Sequence, residues 1–362
     1  MDEQIKRIHG WFEGTYAGPY KIQIQPTNRC NLDCLTCSAR GKANCDFREE
    51  VAEKRYLELI DEADMLDVQH IDICGGGEPL VRASTILAIM QKIKNNGIGG
   101  TLVTNGTLLS KNLIKKIVKL RWDDLIISLD GPNKRINDAL RGEGTFDKVV
   151  HTIGWFNYFK KKIGNKNPII KIASVVCKKN YAYLDNFVDL STKLKIYEIL
   201  LQPIVIQTEW GKKLMLDKKD IIFFKKILSA FKKKLAATNI RSNAESIDPY
   251  MLENSNNIIN IIKKDYKKNK RITQNVSCFY PWLMAAFRAD GAAGLCPSSA
   301  GFVINSNIKD KSLRNIWYGK GFNNYRTNVL KKNVMLPCQS CGSMEIITQR
   351  DIVRKLKLHT IY

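Results

Sequence analysis

Residues 70–97, HIDICGGGEPLVRASTILAIMQKIKNNG, contain one full turn of a repeating unit. A short apolar strand from His70 breaks into Gly75, Gly76 and Gly77, followed by Glu78-Pro79. Beyond it Ile86, Ile89, Met90 and Ile93 fall at helical spacing, with Ser84 as the expected N-cap and Gly97 just past the end. Three glycines let the backbone turn and approach a ligand without Cβ clashes, and Glu78 sets a carboxylate at the tip. A backbone edge beside an acceptor suits a ligand carrying an ammonium group. A glycine triplet also serves as a plain strand-to-helix turn.

The same alternation extends in both directions. Tyr20 to Gln25 reads as a strand, about Glu49 to Met65 as a helix, and Thr101 to Thr104 as a strand. A helix from Ser110 follows, with Leu113, Ile117 and Leu120 on one face. Strands Leu125–Leu129, Ile169–Cys177 and Glu198–Ile204 are separated by helices near Phe146–Lys162 and Tyr181–Leu194. Strand and helix in strict alternation predict an α/β fold with a parallel sheet, and the glycine turn then lies at a strand's C-terminal end, where such sheets bind ligands. After Gln207 the character changes. Phe224, Ile227, Leu228 and Phe231 share one face of a strongly basic helix, expected to pack as a cover, and the polar stretch 254–270 reads as helix or linker.

Between the first strand and the first helix stands Cys30-Asn-Leu-Asp-Cys34-Leu-Thr-Cys37. Three thiolates on a four-iron cluster leave one iron open to an exogenous ligand. The rival is zinc, which would need a fourth ligand from Cys45 or from far away. In the last quarter Cys278, Cys296, Cys338 and Cys341 supply four soft ligands, enough to close a zinc site or a second four-iron cluster. Cys45, Cys74 and Cys177 remain, and the ordinary fate of such thiols is burial. Cys74 precedes the glycine turn and Cys177 ends a strand. A thiol placed at either strand end is a candidate hydrogen-atom donor.

The chain has 362 residues, enough for a large core, and 10 cysteines, of which the seven above fall in two sets at opposite ends. No run of eighteen or more apolar residues spans a bilayer, and the N-terminus lacks a signal-peptide pattern, so the sequence reads as cytoplasmic with reduced thiols and no membrane partner. The net charge of +23 invites a nucleic-acid reading. The lysines are spread over many short runs, however, as in Lys212-Lys213 and Lys232-Lys233-Lys234, which are ordinarily solvated helix faces. An anionic small molecule or an acidic protein is the better-supported partner.

The cysteine loop and the Gly-Gly-Glu-Pro strand end together resemble the radical S-adenosylmethionine (SAM) superfamily. Further matches follow in order: Thr104-Asn105-Gly106, Ser128-Leu129-Asp130-Gly131-Pro132 and Asn137-Asp138-Ala139-Leu140-Arg141-Gly142. The resemblance implies a partial (β/α)6 barrel in which Cys30, Cys34 and Cys37 hold a [4Fe–4S] cluster that chelates SAM. Gly75, Gly76, Gly77 and Glu78 would hold the methionyl amine. Asn105, Ser128 and Arg141 are candidates for the ribose and carboxylate. The residue before the third cysteine is often aromatic in this family and is Thr36 here, so adenine stacking is expected from elsewhere. Gly291-Ala-Ala-Gly-Leu-Cys296, with Cys278 and the later C-x2-C, is similar to the SPASM and twitch modules that carry auxiliary clusters. A full SPASM module needs seven cysteines and none follows Cys341, which implies one auxiliary [4Fe–4S] cluster.

The expected organisation is an N-terminal extension (1–19), the barrel (20–207), a helical cover and linker (208–275), a small C-terminal iron–sulfur module (276–345) and a tail (346–362). With the first strand starting near residue 20, no N-terminal leader-peptide or cobalamin domain is expected. The resemblance implies reductive cleavage of SAM to a 5′-deoxyadenosyl radical and hydrogen abstraction from a substrate. The leading expectation is oxidation of a small molecule such as a sugar or amino-sugar alcohol, supported by the auxiliary cluster. The alternative is a peptide-modifying maturase or an epimerase, with flavodoxin or ferredoxin as electron donor in either case. A zinc-stabilised, RNA-binding protein without catalysis is the remote reading, and it leaves the three strand-end motifs unexplained.

Overall fold

The structure, a computed structural model, describes residues 2–37, 49–204, 209–247, 278–296 and 304–331, with residues 352, 355 and 356. Its centre is a single sheet of β1 (Lys21–Ile24), β2 (His70–Ile73), β3 (Gly99–Thr104), β4 (Asp124–Ser128), β5 (Ile169–Val176), β6 (Glu198–Pro203), β7 (Arg241–Ser242), β8 (Met284–Phe287) and β9 (Ala293–Gly294). The strand order is β7-β6-β5-β4-β3-β2-β1-β8-β9, parallel throughout except for the β8–β9 hairpin. Helices α2 (Glu53–Met65), α3 (Ala83–Asn95), α4 (Lys111–Lys119), α5 (Lys134–Arg141), α6 (Thr145–Ile163) and α7 (Leu184–Leu194) form the crossovers. This is the expected α/β partial barrel.

The strands sort their side chains by period two. Ile22 and Ile24, Ile71 and Ile73, Leu125 and Ile127, Ile170 and Ile172, and Ile199 and Leu201 point outward, and all are buried. β-branched residues dominate because they fit the pleated surface under the helices. The opposite face is polar at its lower end. Lys21 pairs with Asp72, which also faces His70 at 3.3 Å, and His70 Nε2 lies 2.8 Å from the Thr101 hydroxyl. Across the barrel Lys171 bridges Asp124 (3.0 Å) and Glu198 (3.6 Å). These pairs fill the floor, and the upper lumen is left to half-buried Ser128, Ala173, Val175 and Gln202.

Helix α3 does not start at an Ser84 cap. A 3-10 turn over Pro79–Arg82 runs directly into Ala83, and the capping carboxylate is Glu78, which accepts from Leu80 N. Proline with its preset φ favours that earlier start. Helix α5 and strand β8 are among the elements that lay outside the sequence reading. Helix α5 is amphipathic only through Ile136 and Leu140 and begins at the Asn133 cap. Strand β8, far along the chain, pairs with β1 over its full length, Lys21 opposite Met284 and Ile24 opposite Phe287.

At the N-terminus α1 (Glu3–Phe12) buries Ile5 and Ile8 in the main core. Its Arg7 guanidinium is buried and donates to Gly18 O, Pro19 O and Asp67, tying the helix to the start of β1. Downstream lie α8 (Glu209–Lys213), α9 (Lys218–Ala236), α10 (Tyr280–Leu283), α11 (Leu313–Trp317) and α12 (Lys320–Leu330). Among the described residues no helix is long and apolar enough to cross a membrane.

Trp122, fully buried, fills the space over Gly100, where an added Cβ would lie 2.1 Å from the indole. Gly100→Ala is expected to destabilise the barrel by about 1–3 kcal/mol through overpacking. Urea denaturation should show a lower midpoint with an unchanged slope.

Candidate functional site

The three glycines have a closer neighbour than a ligand. The stem leading to Cys30 runs along the turn, with Gly77 N donating to Thr27 O (2.7 Å) and Glu78 N to Arg29 O (2.8 Å). A Cβ on Gly77 would sit 1.9 Å from Arg29 O, and one on Gly76 2.4 Å from Thr27 O. Gly75 and Gly76 also have positive φ, 79° and 67°. Glycine is thus required by the backbone-to-backbone approach that sets the height of the cysteine loop. Glu50 fastens the stem from the other side, taking Arg29 (2.9 and 3.1 Å) and the Thr27 hydroxyl (2.5 Å), and Arg82 donates to Pro26 O (2.8 Å).

Glu78 is 2 % exposed, and both of its oxygens have protein partners. Oε1 accepts from Leu80 N (3.0 Å) and the Thr104 hydroxyl (2.7 Å), and Oε2 from Asn105 N (2.7 Å). Burial raises its pKa, and the backbone hydrogen bond from Asn105 opposes the rise. The carboxylate therefore locks the end of β2 to the end of β3. From there Asn105 Nδ2 donates to Asn31 Oδ1 (2.9 Å) and Asn31 Nδ2 to the Thr107 hydroxyl (2.9 Å), clasping the residue that follows Cys30.

The far side of the loop is held by Asp130, which is fully buried. Its Oδ2 accepts from Arg141 (2.8 Å) and the Thr36 hydroxyl (3.2 Å), and its Oδ1 from Val175 N (2.8 Å). Asn180, also buried, donates to Asp130 O (2.9 Å) and Val175 O (2.8 Å). One carboxylate thus joins the cysteine loop, α5 and β5. Thr36 faces this network, so its place is filled by a hydrogen bond where an aromatic ring was the family expectation. Leu35 N donates to Leu140 O (2.8 Å), and the Cys34 thiol lies 3.8 Å from Arg141 O.

Cys30 and Cys37 are exposed and Cys34 is buried. Burial pushes the Cys34 thiol up to about 11, opposed by the Arg141 guanidinium, and burial also raises Cys30. Cys30 and Cys37 both lie near enough to Cys34 to raise it further. Three thiols on one loop form a donor set of soft sulfur that fits iron.

Of the other expected residues, Ser128 faces the lumen from β4 and is half-buried. Cys74 is half-buried, and burial and the Asp72 charge raise its pKa. Cys177 is sealed in a small apolar cluster with Leu140, Ile204 and Leu214, against Leu35 of the cysteine loop, and burial pushes its thiol up to about 11. Cys278 precedes α10 and Cys296 follows β9, and both are half-buried. Cys45, Cys338 and Cys341 lie outside the described residues. Asp130, Asn31 and Asn180 were not named as site residues from the sequence, and Thr36 was noted only as a departure from the family's aromatic residue. Asp130 had a signal, its place in the Ser-Leu-Asp-Gly strand end.

Comparison with known proteins agrees with this geometry. Residues 24–164 match the radical SAM superfamily model and residues 278–342 match an iron-sulfur cluster-binding domain, SPASM. The mycofactocin maturase MftC of Mycolicibacterium smegmatis is 30% identical over 193 residues, 53% of this chain and 46% of that protein. The chain spans about half the length of the curated relatives it matches. Among solved structures, SuiB of Streptococcus suis bound to S-adenosylmethionine superposes with a TM-score of 0.66 at 18% identity, covering 93% of this chain and 75% of that one. SuiB bound to the precursor peptide SuiA gives 0.67 at 18% identity, covering 94% and 74%. The anSMEcpe enzyme with bound AdoMet gives 0.62 at 15% identity, covering 94% and 98%. The chain belongs to the radical SAM superfamily and carries a SPASM-type module in its C-terminal part. Its cofactors are accordingly SAM, a SAM-binding [4Fe–4S] cluster and auxiliary iron–sulfur chemistry.

Two outcomes test the site. Asp130→Ala leaves Arg141 buried without its counter-charge and should cost about 3–5 kcal/mol, read by denaturant melts. In cluster-free protein near pH 8, iodoacetamide should label exposed Cys37 ahead of Cys34, Cys74 and Cys177, because the thiolate is the nucleophile and burial raises all three of those thiols. Raising the pH should speed the three slow sites most, as peptide mapping would show.

Proposed function

We propose that this protein is a radical SAM enzyme that modifies a peptide, using the auxiliary module in an oxidative outcome. The observation that carries the radical step is the Cys30–Cys37 loop, fixed on both flanks at the C-terminal mouth of a parallel barrel. Similarity to the mycofactocin maturases and the fold shared with SuiB support a peptide over a sugar alcohol as substrate. The expectation of small-molecule oxidation has no comparable support.

When bound, the cluster and SAM supply a 5′-deoxyadenosyl radical able to take hydrogen from an unactivated C–H bond. The chain's own residues position and shield. Cys30, Cys34 and Cys37 are the cluster ligands in this reading, and the Gly75–Gly77 edge with Glu78 Oε2 receives the methionyl amine. Oε2 has one protein donor and a second lone pair free for that contact. Asn105, Ser128 and Arg141 stand around the same mouth as candidates for the ribose and carboxylate. Arg141, held by Asp130, sets positive charge beside the thiols. In this reading Cys278, Cys296, Cys338 and Cys341 hold the auxiliary cluster, and Cys177, sealed from the lumen, is a weaker hydrogen donor than half-buried Cys74.

Anaerobically reconstituted protein should contain about eight irons per chain, falling to about four when Cys30, Cys34 and Cys37 are all changed to Ala. Dithionite-dependent 5′-deoxyadenosine formation should vanish in that variant. Peptide and metabolite profiles of cells with and without the gene should differ in a peptide mass. A difference confined to small metabolites would refute the peptide assignment.

A further inference from the structure

Helix α9 buries Ile221, Phe224, Leu228 and Phe231 against the barrel. It nevertheless leaves Ile222 64 % and Phe223 47 % exposed, side by side on the outer face. Lys218, Lys219 and Lys226 surround the pair at helical spacing, all exposed, and make no ion pair among the described residues. Tyr181 extends the apolar area, its ring 6.1 Å from that of Phe223 and nearly perpendicular to it (82°).

The helix's own acids are already engaged. Lys178 bridges Asp217 (2.9 Å) and Asp220 (3.2 Å), and the Tyr181 hydroxyl donates to Asp220 (2.8 Å). Lys218, Lys219 and Lys226 thus stand exposed around an apolar centre, which is the pattern of an interface with a negatively charged partner. The patch adjoins the mouth of the barrel. Lys178 N donates to Leu214 O (2.8 Å), and Leu214 packs in the cluster that contacts Leu35 of the cysteine loop.

We propose that the outer face of α9 around Ile222 and Phe223 docks an acidic, partly apolar peptide segment, holding it beside the barrel mouth. This rests on the peptide-modifying reading and gives the substrate a chemistry: carboxylates for Lys218, Lys219 and Lys226, and apolar side chains for the exposed pair. A nucleic acid would use the lysines, but the more exposed member of the pair is aliphatic Ile222, which offers no stacking face.

The test is fluorescence anisotropy of the reconstituted full-length protein with a fluorescein-labelled Glu-Glu-Leu-Phe repeat peptide. Polyglutamate and a single-stranded oligonucleotide of equal charge serve as competitors. Binding should weaken about tenfold in Phe223→Ser and in the double variant Lys219→Glu, Lys226→Glu. Higher salt should weaken it further. All three residues are exposed, so peptide-free SAM cleavage should be unchanged in both variants and verifies the fold. Equal binding by the variants would overturn the proposal. So would polyglutamate binding as tightly as the probe, or the oligonucleotide displacing it at equal concentration. Variants that lose the probe in an enzyme later shown to oxidise a small molecule would keep the surface and sink the peptide-modifying reading. Variants that modify a peptide at the wild-type rate would do the reverse.

Discussion

No side chain fits between the Gly75–Gly77 turn and the stem that carries Cys30. The two backbones are joined by Gly77 N to Thr27 O and Glu78 N to Arg29 O, and Cβ atoms at Gly76 and Gly77 would overlap carbonyl oxygens. That approach fixes where the cysteine loop leaves the sheet. Everything at the mouth is referred to it: Glu78 reaches β3 because the turn places it there, and Asn105 reaches Asn31 because Glu78 holds its backbone. The glycines therefore serve the cysteine loop at one remove, by bringing strand β2 against the loop stem.

The other flank depends on charge. Asp130 and Arg141 form a buried pair whose net contribution to stability is small compared with the cost of losing one member. Its value lies in location. A carboxylate with donors from the loop, α5 and β5 permits one arrangement of those three segments, and it sets a guanidinium beside the Cys34 thiol. The adjoining apolar cluster of Leu140, Cys177, Ile204 and Leu214 excludes water behind it.

Much of this was legible in the sequence because it was written in local chemistry. Ile71 and Ile73 flank Asp72 and the run Leu125-Ile126-Ile127 is apolar, and both announced strands, while Cys30, Cys34 and Cys37 announced a soft-metal loop at a strand end. Ser84 misled because a serine before an apolar helix is a good cap in isolation, whereas Pro79 begins the turn earlier. The partners of Glu78 and Asp130 were invisible because they are fixed by which strands become neighbours. Helix α5 escaped notice because only Ile136 and Leu140 mark its apolar face. Strand β8 pairs with a segment some 260 residues earlier, and no local pattern reports such a partner.

That pairing has a mechanical consequence. Strand β1 leads into the cysteine loop, and β8 leads through a tight hairpin to Cys296. Met284 lies opposite Lys21 and Phe287 opposite Ile24, so the ladder ties the first half of the chain to its last quarter with no hinge between them. Two redox groups seated at either end of such a ladder would keep a constant separation as the rest of the molecule breathes. The distance part of any electron exchange between them would then be insensitive to whether a substrate opens or closes the outer helices.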